Sequence, residues 1–140
     1  EWVTKLKKRT NAIVTLENLE IQKIGPIGLQ PYAINDENEL YNFCKKRGLG
    51  LTMDCSHLIS KKIQPVTFFE KYSDLIKNVH ISDAKPNKLH LSIGEGNVDF
   101  KALFGAMKGY KGNVTLEIDT HLGNLVEDNV KKIVNLSHLS

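Results

Sequence analysis

The amino-acid sequence predicts an α/β fold of parallel (β/α) units, arranged as in a β/α barrel rather than an open sheet. Two observations carry this. Four short strand-like runs alternate with helical stretches, a spacing that implies right-handed crossovers and a parallel sheet. Each run also has one aliphatic face and one face of small polar residues that ends in a potential ligand. Strands of an open doubly wound sheet are covered on both sides and read as continuous apolar runs. A polar face repeated strand after strand suits the inside of a barrel, where the C-terminal strand ends form the active site.

The first residues read as the last turns of a helix, with Trp2, Val3 and Leu6 followed by Lys7, Lys8 and Arg9. Glu1 offers no cap, which leads us to expect a fragment of a longer chain. Ala12–Glu17 is short and β-branched and predicts the first strand. Asn18 to Asn35, with Gly25, Pro26 and Gly28, reads as a loop. Loops beyond about 12–15 residues are usually functional, so a lid is expected. Asp36 with Glu39 opens a helix to Arg47, its stripe Leu40, Phe43 and Cys44, stopped by Gly48. The second strand is Gly50–Asp54. Pro65 begins a helix to Ile76 with Phe68, Phe69, Tyr72, Leu75 and Ile76 on one face. The third strand is Asn78–Ser82. After a polar loop and Gly94-Glu95-Gly96, Val98–Lys108 predicts a helix bearing Phe100, Leu103, Phe104 and Met107, ended by Gly109. Asn113–Ile118 is the fourth strand, and Asn124 with Glu127 opens a final helix carrying Val130, Ile133 and Val134.

Composition bounds the function. The 140 residues fit one domain able to bury a core. The net charge of +3 is small and its basic residues scattered, so nothing calls for a nucleic-acid partner. No apolar run reaches the roughly 20 residues that cross a bilayer. The two cysteines, Cys44 and Cys55, are too far apart for a Cys-x-x-Cys motif and read as buried small hydrophobes in a reducing, cytoplasmic setting.

Side chains alternate along a strand. Reading back from the strand ends gives Thr15 and Glu17, Thr52 and Asp54, Asn78, His80 and Ser82, and Thr115 and Glu117 on one face. Val14 and Leu16, Leu51 and Met53, Val79 and Ile81, and Val114 and Leu116 lie on the other, suited to packing under helices. Glu17, Asp54, His80 and Glu117 should therefore converge. Three carboxylates beside a histidine repel unless their pKa values rise or a divalent cation neutralises them. Such a donor set suits Mn²⁺, Mg²⁺ or Co²⁺ ahead of Zn²⁺. His57, three residues past Asp54, reads as a substrate contact, an outer-shell group or a loop cap. His90 is a substrate contact or a solvated loop residue, and Asp83 holds the loop or orients the imidazole. Gly94 and Gly96 either present backbone N–H groups to a phosphate or form a tight turn. His121 and His138 read as surface residues.

The stretches TLEN at 15–18, LTMDCSHL at 51–58, VHISDAK at 79–85, HLSIGEGNVDF at 90–100 and VTLEI at 114–118 resemble the xylose-isomerase-like barrel superfamily. Within it the likeness is to the sugar phosphate isomerase/epimerase and endonuclease IV group. The resemblance implies that residues 1–140 are a partial domain, strands five to eight of an eight-stranded barrel, with the other half or another half-barrel as partner. It implies that Glu17, Asp54, His80 and Glu117 hold one divalent metal, that Glu17 and Glu117 form the proton-transfer pair, and that His57 contacts substrate or metal. The implied reaction is isomerisation or epimerisation of a sugar or sugar phosphate through a metal-bound enediolate. Two alternatives stay open. One is an endonuclease IV-like apurinic-site nuclease with a zinc cluster, although Lys88 stands where that enzyme type has an aspartate ligand. The other is an inactive fragment or half-barrel, its outer strands left as unpaired edges.

Overall fold

The computed structural model describes residues 2–20, 23–24, 27–28, 34, 36–119, 121 and 125–138. Helix α1 (Trp2–Thr10) leads into strand β1 (Thr15–Glu17). The predicted lid contains a short antiparallel pair, β2 (Lys23–Ile24) with β3 (Ile27–Gly28), and is otherwise mostly outside the described residues. Helix α2 (Glu37–Arg47) starts where the sequence puts it, with Asp36 Oδ1 accepting the Glu39 N–H at 2.9 Å. It stops at Gly48, whose φ of 61° is left-handed and suits a residue without Cβ.

Strand β4 (Gly50–Asp54) runs straight into a six-residue helix, α3 (Cys55–Ser60), that the sequence reading missed. Helix α4 (Pro65–Tyr72) is shorter than predicted, because Leu75 closes a turn onto the Tyr72 carbonyl and Ile76 begins β5 (Ile76–Ile81). An apolar pair at a helix–strand junction fits either period, so the pattern alone misplaced that boundary. The polar loop is likewise partly structured, as an antiparallel hairpin of β6 (Asp83–Lys85) and β7 (Lys88–Leu91). Helix α5 (Phe100–Ala106), strand β8 (Asn113–Leu116) and helix α6 (Val126–His138) complete the order. Asn124, the expected cap of α6, lies outside the described residues.

The central sheet is four parallel strands in the order β1-β4-β5-β8. Its register sets Glu17 opposite Thr52, Asp54 opposite His80, and His80 opposite Thr115. The polar face is knitted across strands, with Thr15 Oγ1 and Thr52 Oγ1 at 2.8 Å and Thr115 Oγ1 donating to Asn78 Oδ1 at 3.2 Å. On the other face Leu51, Met53, Val79 and Ile81 are fully buried with Phe68, Leu103 and Cys44. Both cysteines are free and buried, and burial pushes both thiols up from their ordinary range.

The outer parts depart from expectation. Val114 is 48% exposed, because α6 packs on α5 and leaves that face of β8 uncovered. On α6, Ile133 and Leu136 turn inward, while Val126, Val130 and Val134 form an exposed stripe. The residue that anchors α6 is polar. Asn129 is buried, accepts the Ile93 N–H at 2.6 Å and donates to Ser92 Oγ and the Leu125 carbonyl.

The Gly-x-Gly turn is held from within. Asp83 is 1% exposed, and its carboxylate accepts the N–H groups of Ala84, Gly94, Gly96 and Val98 at 2.8–3.1 Å. The amides of Gly94 and Gly96, read as either phosphate donors or part of a tight turn, are donated to Asp83. Gly94 has a φ of 88°, and a Cβ on Gly96 would collide with the Asp83 carboxylate and the Ala84 backbone. Gly96→Ala is therefore expected to destabilise the protein by about 1–3 kcal/mol, the cost of leaving buried donors unmatched, read as a lowered denaturant midpoint. An unchanged midpoint would show that the cradle contributes nothing.

Candidate metal centre

The four strand ends meet. One ligand atom each from Glu17, Asp54, His80 and Glu117 lie within 4.8 Å of one another. Opposite ligands of an ion with about 2.2 Å bonds are about 4.4 Å apart, so small side-chain adjustments would close a coordination shell. The convergence follows from the register: Asp54 and His80 are paired residues on the inner strands, and Glu17 and Glu117 stand at the ends of the outer two. Glu117 lies one residue past β8, with its N–H bonded to the Ile81 carbonyl at 3.0 Å, which continues the ladder and fixes its side-chain phase.

The donors fit a cation on a second ground. Asp54 Oδ2, His80 Nδ1 and Glu117 Oε2 are buried without a hydrogen-bond partner among the described residues. His80 Nδ1 faces Glu17 Oε1 and Asp54 Oδ2, each at 3.7 Å, and Glu117 Oε2 presses against it without hydrogen-bond alignment. Buried polar atoms are nearly always satisfied, and Asp54 Oδ2, 3.7 Å from His80 Nδ1, lacks a partner among the described residues beside the His80–Glu117 contact. Burial raises the Asp54 pKa from its ordinary value, an effect that the His57 ring and N–H partly offset. A carboxylate with no exposed surface is costly to ionise alone and strongly favours a bound divalent ion.

Asp54 divides its work between its two oxygens. Oδ1 caps α3 by accepting the His57 N–H at 2.7 Å, while Oδ2 faces the site. The Asp-x-x-His spacing is thus an N-cap signature. His57 is buried over the site. Its Nδ1 lies 2.9 Å from the Asn18 carbonyl and 3.3 Å from Glu17 Oε1, and its Nε2 lies 3.5 Å from Glu20 Oε2. Neither Asn18 nor Glu20 was singled out by sequence. Burial pulls the His57 pKa down, but the hydrogen bond to Glu17, the charge of Asp54 and the Asn18 carbonyl outweigh it and set it at about 9.

That value makes a prediction. In the metal-free protein the His57 ring resonance should titrate with a midpoint near 9. Its folded pKa is raised, so its contribution to stability is complete below the ordinary 6.5 and is lost as pH rises through about 9. A divalent ion among Glu17 and Asp54 would offset their charge and move that midpoint down. An NMR titration with the same midpoint in both forms would contradict this.

His90 projects from the β6–β7 hairpin with a φ of 51°, unusual for a residue with a Cβ. Its N–H donates to Ser56 Oγ at 2.8 Å, its Nδ1 lies 3.2 Å from the Glu117 carbonyl, and its ring stands edge-on to His57 at 5.3 Å. His57 and His90 thus line the site together, but neither joins the four-residue cluster, which among the described residues is the one His/Asp/Glu group with metal-ligand spacing. Gly94 and Gly96 stand apart, around Asp83. His121 is exposed and paired with Asp119 at 2.9 Å, a surface residue as expected, and no described helix is long and apolar enough to cross a membrane.

Comparison with known proteins concerns the family and the fold. Residues 2–136 match the family described as "Xylose isomerase-like TIM barrel". An inosose dehydratase from Lacticaseibacillus casei is 30% identical over 91 residues, a match covering 51% of this chain and 30% of that protein. The structure of a 3-keto-D-glucoside 4-epimerase from E. coli superposes with a TM-score of 0.75 at 21% identity, over 96% of this chain and 50% of that one. A D-tagatose 3-epimerase-like protein superposes with a TM-score of 0.72 at 22% identity, over 98% and 52%. The chain spans about half the length of these solved structures. The proteins it resembles are enzymes.

Proposed function

The chain belongs to the xylose isomerase-like TIM barrel family, and from that premise we propose that its site serves a metal-dependent isomerase or epimerase of sugars or sugar phosphates. The observation that carries the reading is the convergence of Glu17, Asp54, His80 and Glu117, whose ligand atoms lie within 4.8 Å of one another, with Asp54 Oδ2 buried and without a hydrogen bond. These four side chains would hold one ion, Mn²⁺, Mg²⁺ or Co²⁺ ahead of Zn²⁺, whose charge would offset the negative charge that develops on substrate oxygens.

The side chains divide by exposure. Asp54 has none and His80 little, so both are confined to ligation. Glu17 and Glu117 keep 30% and 42% of their side-chain surface and flank the site from the two outer strands. One carboxylate takes a proton from the carbon beside a carbonyl, giving an enediolate, and the other, as the carboxylic acid, delivers its own proton from the opposite side, the two exchanging protonation states with each turnover. His57 and His90, side by side above the cluster, contact the substrate's hydroxyl or carbonyl oxygens.

The strands β1, β4, β5 and β8 are strands five to eight of the barrel in this reading. The open edges at β1 and β8, with the exposed Val114 and the Val126, Val130 and Val134 stripe, then accept the remaining half-barrel. A dehydratase acting on a keto sugar is the second reading, favoured by the inosose dehydratase match. Elimination of water beside a carbonyl begins with the same proton abstraction.

The test is incubation of the Mn²⁺- or Co²⁺-loaded protein with a panel of ketoses, ketose phosphates and keto-cyclitols in D₂O. Deuterium at a carbon adjacent to the carbonyl, with an epimer or isomer formed, supports the first reading. An unsaturated product supports the dehydratase. Cleavage of abasic DNA with no exchange on any keto compound would replace both with a nuclease.

A further inference from the structure

Asn18 follows Glu17 where β1 ends, yet it is buried at 2% exposure and each of its polar groups has a partner. Its Oδ1 accepts the Asp54 N–H at 2.8 Å, and its Nδ2 donates to the Asp54 carbonyl at 3.0 Å. The side chain thus reproduces both bonds of a backbone pair and extends the β1–β4 pairing past the end of the strand. Its own N–H reaches the Thr52 carbonyl at 3.4 Å, and its carbonyl takes the His57 Nδ1–H at 2.9 Å.

We infer that Asn18 is a positioning residue that sets the spacing of the Glu17 and Asp54 carboxylates and holds the His57 ring in its orientation over them. The inference rests on the metal-site reading above and assigns Asn18 no contact with the metal. β1 is a three-residue edge strand, paired only with β4 among the described residues, so its backbone has little to hold Glu17 in place. The Asn18 clamp supplies that support at the point where it matters. With Nδ1 of His57 held by the Asn18 carbonyl, its Nε2 is turned toward Glu20 Oε2 at 3.5 Å. Outer-shell partners of this kind tune metal affinity by about 10- to 100-fold.

The experiment is Co²⁺ titration, followed by visible absorption, of the wild-type protein and of Asn18→Ala, Asn18→Asp and Asn129→Ala. Asn18→Asp keeps size and one acceptor but loses the donor to the Asp54 carbonyl. Asn129 is an equally buried amide clamp that bonds none of the four cluster residues in the described contacts, and it serves as the control for destabilisation alone. Both Asn18 variants are expected to weaken Co²⁺ binding by about 10- to 100-fold and to alter its spectrum, with Asn129→Ala unchanged in both. Wild-type affinity and spectrum in Asn18→Asp, or an equal loss in Asn129→Ala, would overturn the inference. A wild-type protein that binds no Co²⁺ would instead overturn the metal site itself.

Discussion

Replacing Asp54 with Asn is expected to abolish tight divalent-metal binding while leaving the fold in place. Asn keeps the carbonyl oxygen that caps α3 through the His57 N–H, so the local helix survives. What changes is the other atom. Oδ2, buried and without a hydrogen-bond partner, becomes an NH₂ group that cannot ligate a cation and points its hydrogens at the site. The loss should exceed the about 100-fold reached by outer-shell changes, since a ligand itself is removed. The variant should also be as stable as the metal-free wild type or more so, because a buried carboxylate whose pKa burial raises is gone. Calorimetric titration with Mn²⁺ and a thermal melt read the two effects separately. Retention of metal affinity would remove Asp54 from the site.

The second large effect is on chemistry. Glu17→Gln should slow solvent deuterium incorporation into the substrate by about 10²- to 10⁴-fold, the usual contribution of a positioned acid or base. Gln retains an oxygen for ligation, so metal affinity should fall less than in Asp54→Asn. The split distinguishes a proton carrier from a simple ligand. Glu17 also contacts His57 at 3.3 Å, and the amide would weaken that pairing and lower the His57 titration midpoint. Undiminished exchange in Glu17→Gln, at saturating metal and substrate, would assign the proton step elsewhere.

The cluster was legible in the sequence because a period of two and a parallel sheet leave little freedom. Residues in the same phase on adjacent strands must share a face, and strands that all point one way must align their ends. Thr15, Thr52, Asn78 and Thr115 marked that face, and the residue that closes each run gave Glu17, Asp54, His80 and Glu117. The supporting groups were not legible. Asn18 bonds a backbone 36 residues away, a relation without local signature. The glycine amides at 94 and 96 announced themselves as donors, but their acceptor, Asp83, sits 11 and 13 residues earlier and is identified only when the hairpin folds back. α3 was hidden for a different reason: its cap, Asp54, had already been read as a ligand, and the same carboxylate opens the helix. On α6 the apolar pattern was correct and Ile133 packs inward as assigned, but Val130 and Val134 stay exposed while Asn129 is buried. Hydropathy identifies an amphipathic helix without saying which neighbour is present to cover it.

The central claim is that Glu17, Asp54, His80 and Glu117 hold one divalent ion. Anomalous diffraction from crystals grown with Mn²⁺ tests it most directly. The account predicts a single strong peak bounded by all four side chains, with ligand distances of about 2.0–2.3 Å. No peak there, or several ions with His57 and His90 among their ligands, would contradict it.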